Sequence, residues 1–448
     1  MTDTLSDLTE ALLDAAKKAG AENADALAVR GTSISVDVRG GALEQAERSE
    51  GVDIGLRVLI GQKQASVSAS DTRPETLAMM AERAVAMAKE APDDAHIGLA
   101  DPADLTRGWD LDALELADPS PEPAPEHLVT DASTAEAAAL DVKGVSQVQS
   151  ATASYGASEI YLAATNGFSG GYARTNRSTS CVAIAGTGTG MERDYDGDMR
   201  TYQSDLRSPG QIGQQAGHFA VERLDARKPA TGNFPVLFDE RIASSLIGHL
   251  VAAANGSAVA RGASWLQHAL GERVLPDHLS LIEDPHLPRK TGSRPFDAEG
   301  LPTTRRAIVE DGILTGWTLD LATARKLGLA STGNAARSTS GPPSPATWNL
   351  ALTQGDQSKA DLMADMGTGL LVTSMIGATI NPTTGDYSRG AAGIWVENGV
   401  PTYAVNECTI AGNLRDMLRR IIPANDARTH LSRVVPSLLV EGMTLAGA

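Results

Sequence analysis

Cysteine is scarce in this chain of 448 residues: it has two, Cys181 and Cys408, far apart in sequence. Two distant thiols make no disulfide framework, so a reducing compartment is expected. Aromatic residues are 4% of the chain, and aliphatic side chains must fill most of its core. No stretch approaches the roughly 18 consecutive apolar residues that read as a membrane span. The opening segment, MTDTLSDLTEALLDAAKKAG, is an acidic amphipathic helix without the basic start and apolar run of a secretory signal. The expected location is therefore cytoplasmic. Positive charge is also in deficit, with 38 Lys and Arg against 56 Asp and Glu, a formal net charge of -18. So acidic a chain repels phosphate backbones, which excludes nucleic acid as an expected partner. The acid excess serves solubility; a preference for basic peptides is a sharper reading of it.

Familiar catalytic motifs are missing as well. Gly167-Phe-Ser169-Gly-Gly171 has the spacing of a nucleophile elbow, but the residues after it read as strand where the elbow needs a helix. Gly186-Thr-Gly188-Thr-Gly190 follows a strand, yet Met191 takes the place of the last glycine of a dinucleotide loop and no helix opens there. Neither segment holds a nucleotide or a nucleophile; both read as turns between strands. No phosphate-binding G-x-x-x-x-G-K-[ST] occurs. Of the eight histidines, no two have the i, i+4 spacing that places a zinc pair on one helical face. His249, among Leu246, Ile247, Leu250 and Val251, reads as a satisfied core histidine.

What is present is an α+β pattern. The length asks for two domains, placed here at residues 1–226 and 227–448. Apolar residues at helical spacing predict helices over Thr4–Lys18, Arg73–Ala91, Thr130–Leu140, Pro209–Leu224 and Glu240–Ala254, the last ended by Asn255-Gly256. Short strands are expected at Ala26–Arg30, Ser33–Val38, Val52–Ile60 and Ala65–Ala69, with turns at Gly40-Gly41 and Gly61. The tract 92–126 carries Pro92, Pro102, Pro119, Pro121, Pro123 and Pro125 and reads as a surface strap or loop. Residues Val145–Gln203 are β-rich. In the second half, Asp311-Gly312 and Asn398-Gly399 mark two-residue hairpins. Gly369–Gly377 reads as a strand buried on both sides. The expected fold is thus an N-terminal antiparallel sheet with flanking helices, then a mainly β domain with one prominent helix.

Several blocks of the second half resemble the TldD/PmbA family, and within it the PmbA (TldE) branch. They are Ser244-Ser-Leu-Ile-Gly-His249, Ala254-Asn-Gly, Val259-Ala-Arg-Gly-Ala-Ser-Trp-Leu, Asp297-Ala-Glu-Gly-Leu-Pro-Thr, Val309-Glu-Asp-Gly-Ile-Leu, Ser331-Thr-Gly-Asn, Gly369–Gly377, Thr409-Ile-Ala-Gly-Asn and Pro436-Ser-Leu-Leu-Val-Glu-Gly-Met-Thr-Leu-Ala-Gly. Gly51-Val-Asp-Ile-Gly-Leu-Arg-Val extends the likeness into the first half.

The resemblance implies that a TldD-type subunit carries a helical H-E-x-x-x-H motif and a late cysteine, together holding a catalytic metal, zinc being expected. At the matching positions this chain has Ser244 for the first histidine, Ser245 for the glutamate, and His249 for the second histidine. The segment Ala424–Val434 has no cysteine, and Cys408 does not occupy the ligand position. One imidazole cannot hold zinc where three or four donors are needed. The resemblance therefore implies a chain with no metal, no cofactor and no catalytic residues of its own. It would pair with a TldD-type catalytic subunit as a heterodimer, or form a homodimer alone, in the proteolysis of unstructured peptides. The family's label, modulator of DNA gyrase, names a pathway and needs no contact with DNA. Two rival readings are an independently active metallopeptidase with non-standard ligands and a peptide-binding adaptor without an enzymatic partner.

Overall fold

A computed structural model describes residues 4–447. Helix α1 (Leu5–Ala19) starts at a reciprocal cap between Thr4 and Asp7 and stops at Gly20, which takes φ 101°. Its buried stripe is Leu5, Leu8, Leu12 and Ala16. Strands β1 (Asn23–Arg39), β2 (Ala42–Ile60) and β3 (Lys63–Ala69) follow as antiparallel neighbours. Glu136 caps the β1–β2 turn, its carboxylate accepting from the Gly40 and Gly41 N–H groups at 2.6 and 2.9 Å. Then come α2 (Pro74–Glu90), the single turn α3 (Leu111–Leu114), α4 (Pro125–Leu140), β4 (Val145–Ala164), β5 (Ser169–Ala185), β6 (Glu192–Arg200) and α5 (Pro209–Val221). The six strands form one sheet in the order β3-β2-β1-β4-β5-β6.

Strand parity decides what each face of this sheet meets. On β1 the even residues Ala24, Ala26 and Ala28 pack under α1 and α2, while Ile34, Val36 and Val38 pack under α4 and α5. Two helix pairs thus cover two ends of one face. The proline-rich tract first packs against the second half of the chain, Thr106 N–H donating to Gly300 C=O at 3.0 Å and Trp109 meeting Phe296 with ring centroids 4.8 Å apart. It then returns to the first sheet, where Leu116 and Pro123 are buried and Glu122 pairs with Arg48 of β2. It is a strap. Its last proline is the first residue of α4, where a missing N–H costs nothing, so that helix begins five residues before the expected Thr130. The odd face meets the second half of the chain: Leu27 packs with Leu162, Phe168 and Phe296.

The second half opens with β7 (Gly232–Phe238), α6 (Glu240–Ala253) and α7 (Gly256–Ala260). Asn255 does not end α6 with a left-handed residue; it caps α7 by accepting from Ser257 N–H. Next are β8 (Leu281–Glu283), β9 (Arg306–Glu310), β10 (Ile313–Leu314), α8 (Leu321–Leu327), β11 (Ala335–Ala336), β12 (Ser344–Pro345), β13 (Leu350–Leu352) and α9 (Lys359–Met366). The chain ends with β14 (Gly369–Ile380), β15 (Asp386–Glu397), β16 (Val400–Asn413), α10 (Leu414–Leu418), β17 (Ile422–Pro423), β18 (Arg433–Val434) and β19 (Leu438–Ala446). One sheet runs β16-β15-β14-β7-β19-β17, and a further β16–β19 pairing draws it into a barrel-like form. A smaller sheet runs β10-β9-β8-β13-β18. The largest core lies where α6 packs against β7, β14, β15 and β16.

The α+β architecture and the antiparallel N-terminal sheet agree with the expectation. Two details differ. The strands expected at Ala26–Arg30 and Ser33–Val38 are one strand, because β2 and β4 pair with it continuously. Strand β14 is buried over Gly369–Val372, whereas Ile376 is 73% exposed. As expected, strand and not helix follows Ser169, whose hydroxyl lies 2.8 Å from that of Tyr161 across the β4–β5 hairpin.

Candidate functional site

Helix α6 carries the residues singled out by sequence. Asp239 caps it, accepting from Arg241 N–H at 3.1 Å, and its carboxylate also pairs with Lys359 at 2.9 Å. Burial alone would raise Asp239; Lys359 and Arg241 outweigh it and hold the carboxyl below the usual range. Ala243, Leu246, Ile247 and Leu250 anchor the helix in the core. The opposite stripe, Ser244, Ser245, Gly248 and His249, is half-buried. These four fall in two i, i+4 pairs and so form one continuous strip.

Ser245 donates its hydroxyl to Ile242 C=O at 2.7 Å, a bond back into its own helix. His249 meets Tyr387 of β15 edge to face, with ring centroids 5.9 Å apart. Its Nε2 is buried and has no hydrogen-bond partner. The satisfied core histidine expected from sequence is therefore not what stands here. Burial first, and the nearby Arg389 guanidinium second, push its pKa below the ordinary histidine value. The ring is neutral at neutral pH. Burial pushes the Tyr387 hydroxyl up to about 12 against the opposing pull of Arg389, so it stays protonated; it donates to Met375 Sδ at 3.3 Å.

The residues here do not fit a metal ion. His249 offers one free nitrogen, but Arg389 puts a positive charge beside it. Among the described residues, no group of three or more His, Cys, Asp or Glu is placed to hold a cation. Cys408 spends its thiol on Ala391 C=O at 3.2 Å, and burial pushes that thiol up to about 11, far from the thiolate a metal requires. His430, in the late segment, lies 3.5 Å from Asp198 of β6 and belongs to another cluster.

Sequence reasoning placed Ser244, Ser245 and His249 on one helix, and they share one strip. It missed Tyr387, Arg389 and Arg433. Tyr387 and Arg389 alternate along β15 and so share its face, a signal the sequence carried. Arg433 lies alongside Gly248, its Nη1 3.6 Å from where a Cβ on that glycine would sit; nothing local in sequence announces this.

A helix of this geometry, set in this barrel-like sheet behind a six-stranded N-terminal sheet, belongs to a known class. The chain belongs to the PmbA/TldD metallopeptidase family: domain 1 of the family matches residues 24–88, the central domain 118–224 and the C-terminal domain 231–447. It is 37% identical over 428 residues to metalloprotease PmbA of Escherichia coli O157:H7, covering 95% of this chain and 92% of that one. A crystal structure from Bacteroides thetaiotaomicron, described as a candidate modulator of DNA gyrase, superposes with a TM-score of 0.91 at 27% identity, covering 98% of each chain. TldE from Thermococcus kodakarensis shares the fold with a TM-score of 0.85 at 20% identity, over 98% of this chain and 99% of that one.

Proposed function

We propose that this chain is the metal-free partner subunit of a TldD/TldE-type heteromeric metalloprotease that processes unstructured peptides. The observation that carries the reading is the strip on α6. Two hydroxyls occupy the places of an imidazole and a carboxylate, and a guanidinium stands beside the one remaining histidine. Neutral hydroxyls are poor zinc ligands and poor general bases, and a fixed cation nearby repels a second one. The catalytic zinc belongs to the TldD-type subunit, and this chain completes the chamber around the peptide. The cytoplasm suits a chain whose two thiols are both free and buried.

Elemental analysis of the purified chain, then cleavage of an unfolded peptide by a TldD-type chain with and without it, tests the reading. The expected results are no stoichiometric transition metal and activity only in the mixture. Full activity of the partner alone sinks it. A stoichiometric metal in this chain favours the independent metallopeptidase, a reading that the relative's name, metalloprotease PmbA, keeps in view.

A further inference from the structure

The basic residues around α6 fall into two groups. Arg241 and Lys359 hold Asp239, and Arg428 pairs with Glu240 at 2.6 Å. Arg389 and Arg433 have no carboxylate partner among the described residues, although the chain carries 56 acidic side chains. Arg389 is half-buried, and its Nε is shut off from water without a hydrogen-bond partner. A buried donor left unmade is costly, and for a charged group more so. Next to it lies the second orphan, His249 Nε2. Two unsatisfied nitrogens are thus closed off beneath the half-buried face that α6 and β15 share, and Arg433 lies at its edge against Gly248.

Every one of these groups can donate. Arg389 and Arg433 are always charged, and the neutral His249 ring donates from Nε2 in one of its two tautomers. Ser244 adds a hydroxyl on the same strip. The Tyr387 hydroxyl accepts from Arg389, but a neutral oxygen leaves the guanidinium charge and its Nε unanswered. Donors without an anionic acceptor describe an oxyanion site, and the planar fork of arginine matches a carboxylate in particular.

We propose that the α6 strip binds a peptide carboxylate, with Arg389 as its principal ligand and Arg433 at the rim; His249 Nε2, closed off in the free chain, becomes a donor only as the peptide seats. The inference rests on the metal-free reading, because a bound divalent cation would occupy the same space. In this role the strip fixes one anionic group of an extended peptide by charge, where a catalytic chain would place a metal.

The test measures binding of short, fluorescently labelled Gly/Ser/Ala peptides to the full-length chain by anisotropy. One peptide ends in a free carboxylate; a second is amidated; a third is amidated and carries a single internal Glu. The carboxylate forms should bind at least about tenfold more tightly than the neutral amide, the usual advantage of a charge-assisted pair. The terminal and internal acids separate the two sources of the group. Arg389→Gln should erase the preference and leave the amide unchanged. Arg389→Lys, which keeps the charge and loses the fork, should keep part of it. Arg433→Gln should have a smaller effect that added salt removes. Equal binding of acid and amide overturns the proposal, as does no binding of either up to millimolar peptide, or equal weakening of both by Arg389→Gln. If Arg389→Gln does not melt as the wild type does, the wild-type comparison and Arg389→Lys still decide. Metal content of the same preparation is read separately. Stoichiometric metal sinks the subunit reading, whereas a metal-free chain indifferent to carboxylates sinks this proposal alone.

Discussion

Glu299 lies in the loop between β8 and β9, buried, with its Oε2 accepting from Leu321 N–H at 2.9 Å. Burial and the neighbouring Asp297 carboxylate push its pKa well up, with Asp320 adding to the push and Arg57 opposing it. Asp297 is itself pushed up to about 6 by burial, against three backbone N–H groups that favour its charge. The native state therefore keeps a proton that the unfolded chain releases at a lower pH. The stability this contributes is full below the ordinary carboxyl pKa and fades as pH climbs through the raised native one. Glu299→Gln needs no such proton and can keep the bond from Leu321. Its melting temperature should exceed the wild type's by a margin that grows from about pH 5 to about pH 8. A constant gap across that range would refute the assignment. Little of this was legible in sequence, where Asp297-Ala-Glu299 stands only within a block that resembles the family. At His249 the residue was found and its surroundings were not, since Tyr387 and Arg389 reach it from a strand more than 130 positions away.

Helices α4 and α5 approach closely because their facing residues are small. Ala132, Ala135 and Ala139 meet Ala216 and Ala220, and Gly213 sits where a Cβ would collide with the Ala135 carbonyl. That contact is backbone, so it cannot move aside as a side chain could. Gly213→Ala should lower stability by about 1–3 kcal/mol, the usual cost of overpacking, measurable by urea unfolding. A neutral result would mean that the helices slide apart freely. Helices and tight turns were the legible part of the fold. Asp311, Gly312, Asn398 and Gly399 all have positive φ, as their sequence predicts. Strand lengths were less legible. Arg30-Gly31 interrupts the local pattern of β1, while its partners β2 and β4 pair straight through. Propensity is local, and a ladder is settled by its neighbours.

The two halves of the molecule are clamped by charge. Asp25 of β1 and Arg57 of β2, 3% and 4% exposed, form an ion pair that Arg337 of the second half completes. Beside it, the backbone of Thr339 lies against Gly55, leaving no room for a side chain. Arg174 of β5 reaches across to Thr291 C=O at 2.7 Å. Removing one partner from a buried ion pair costs about 3–5 kcal/mol. Arg337→Ala leaves Arg57 on Asp25, so a smaller loss is expected, with faster amide exchange in β2 around Gly55 and little change in β14 and β15. Uniform loss of protection would mean that the halves unfold as one unit. A sequence can suggest two domains from length and pattern, as it did here, but the clamp depends on residues 312 positions apart.

Strand β19 lies between β7 and β17 and also bonds β16. On a ribosome this ordering sets a timetable. Phe238 is made some 200 residues before Leu438, its antiparallel partner, and at about 5–20 residues per second the wait lasts on the order of 10–40 seconds. During that interval one flank of β7, the side β19 will take, has no β19 to cover it. A nascent chain with such an open flank is a natural client for chaperones.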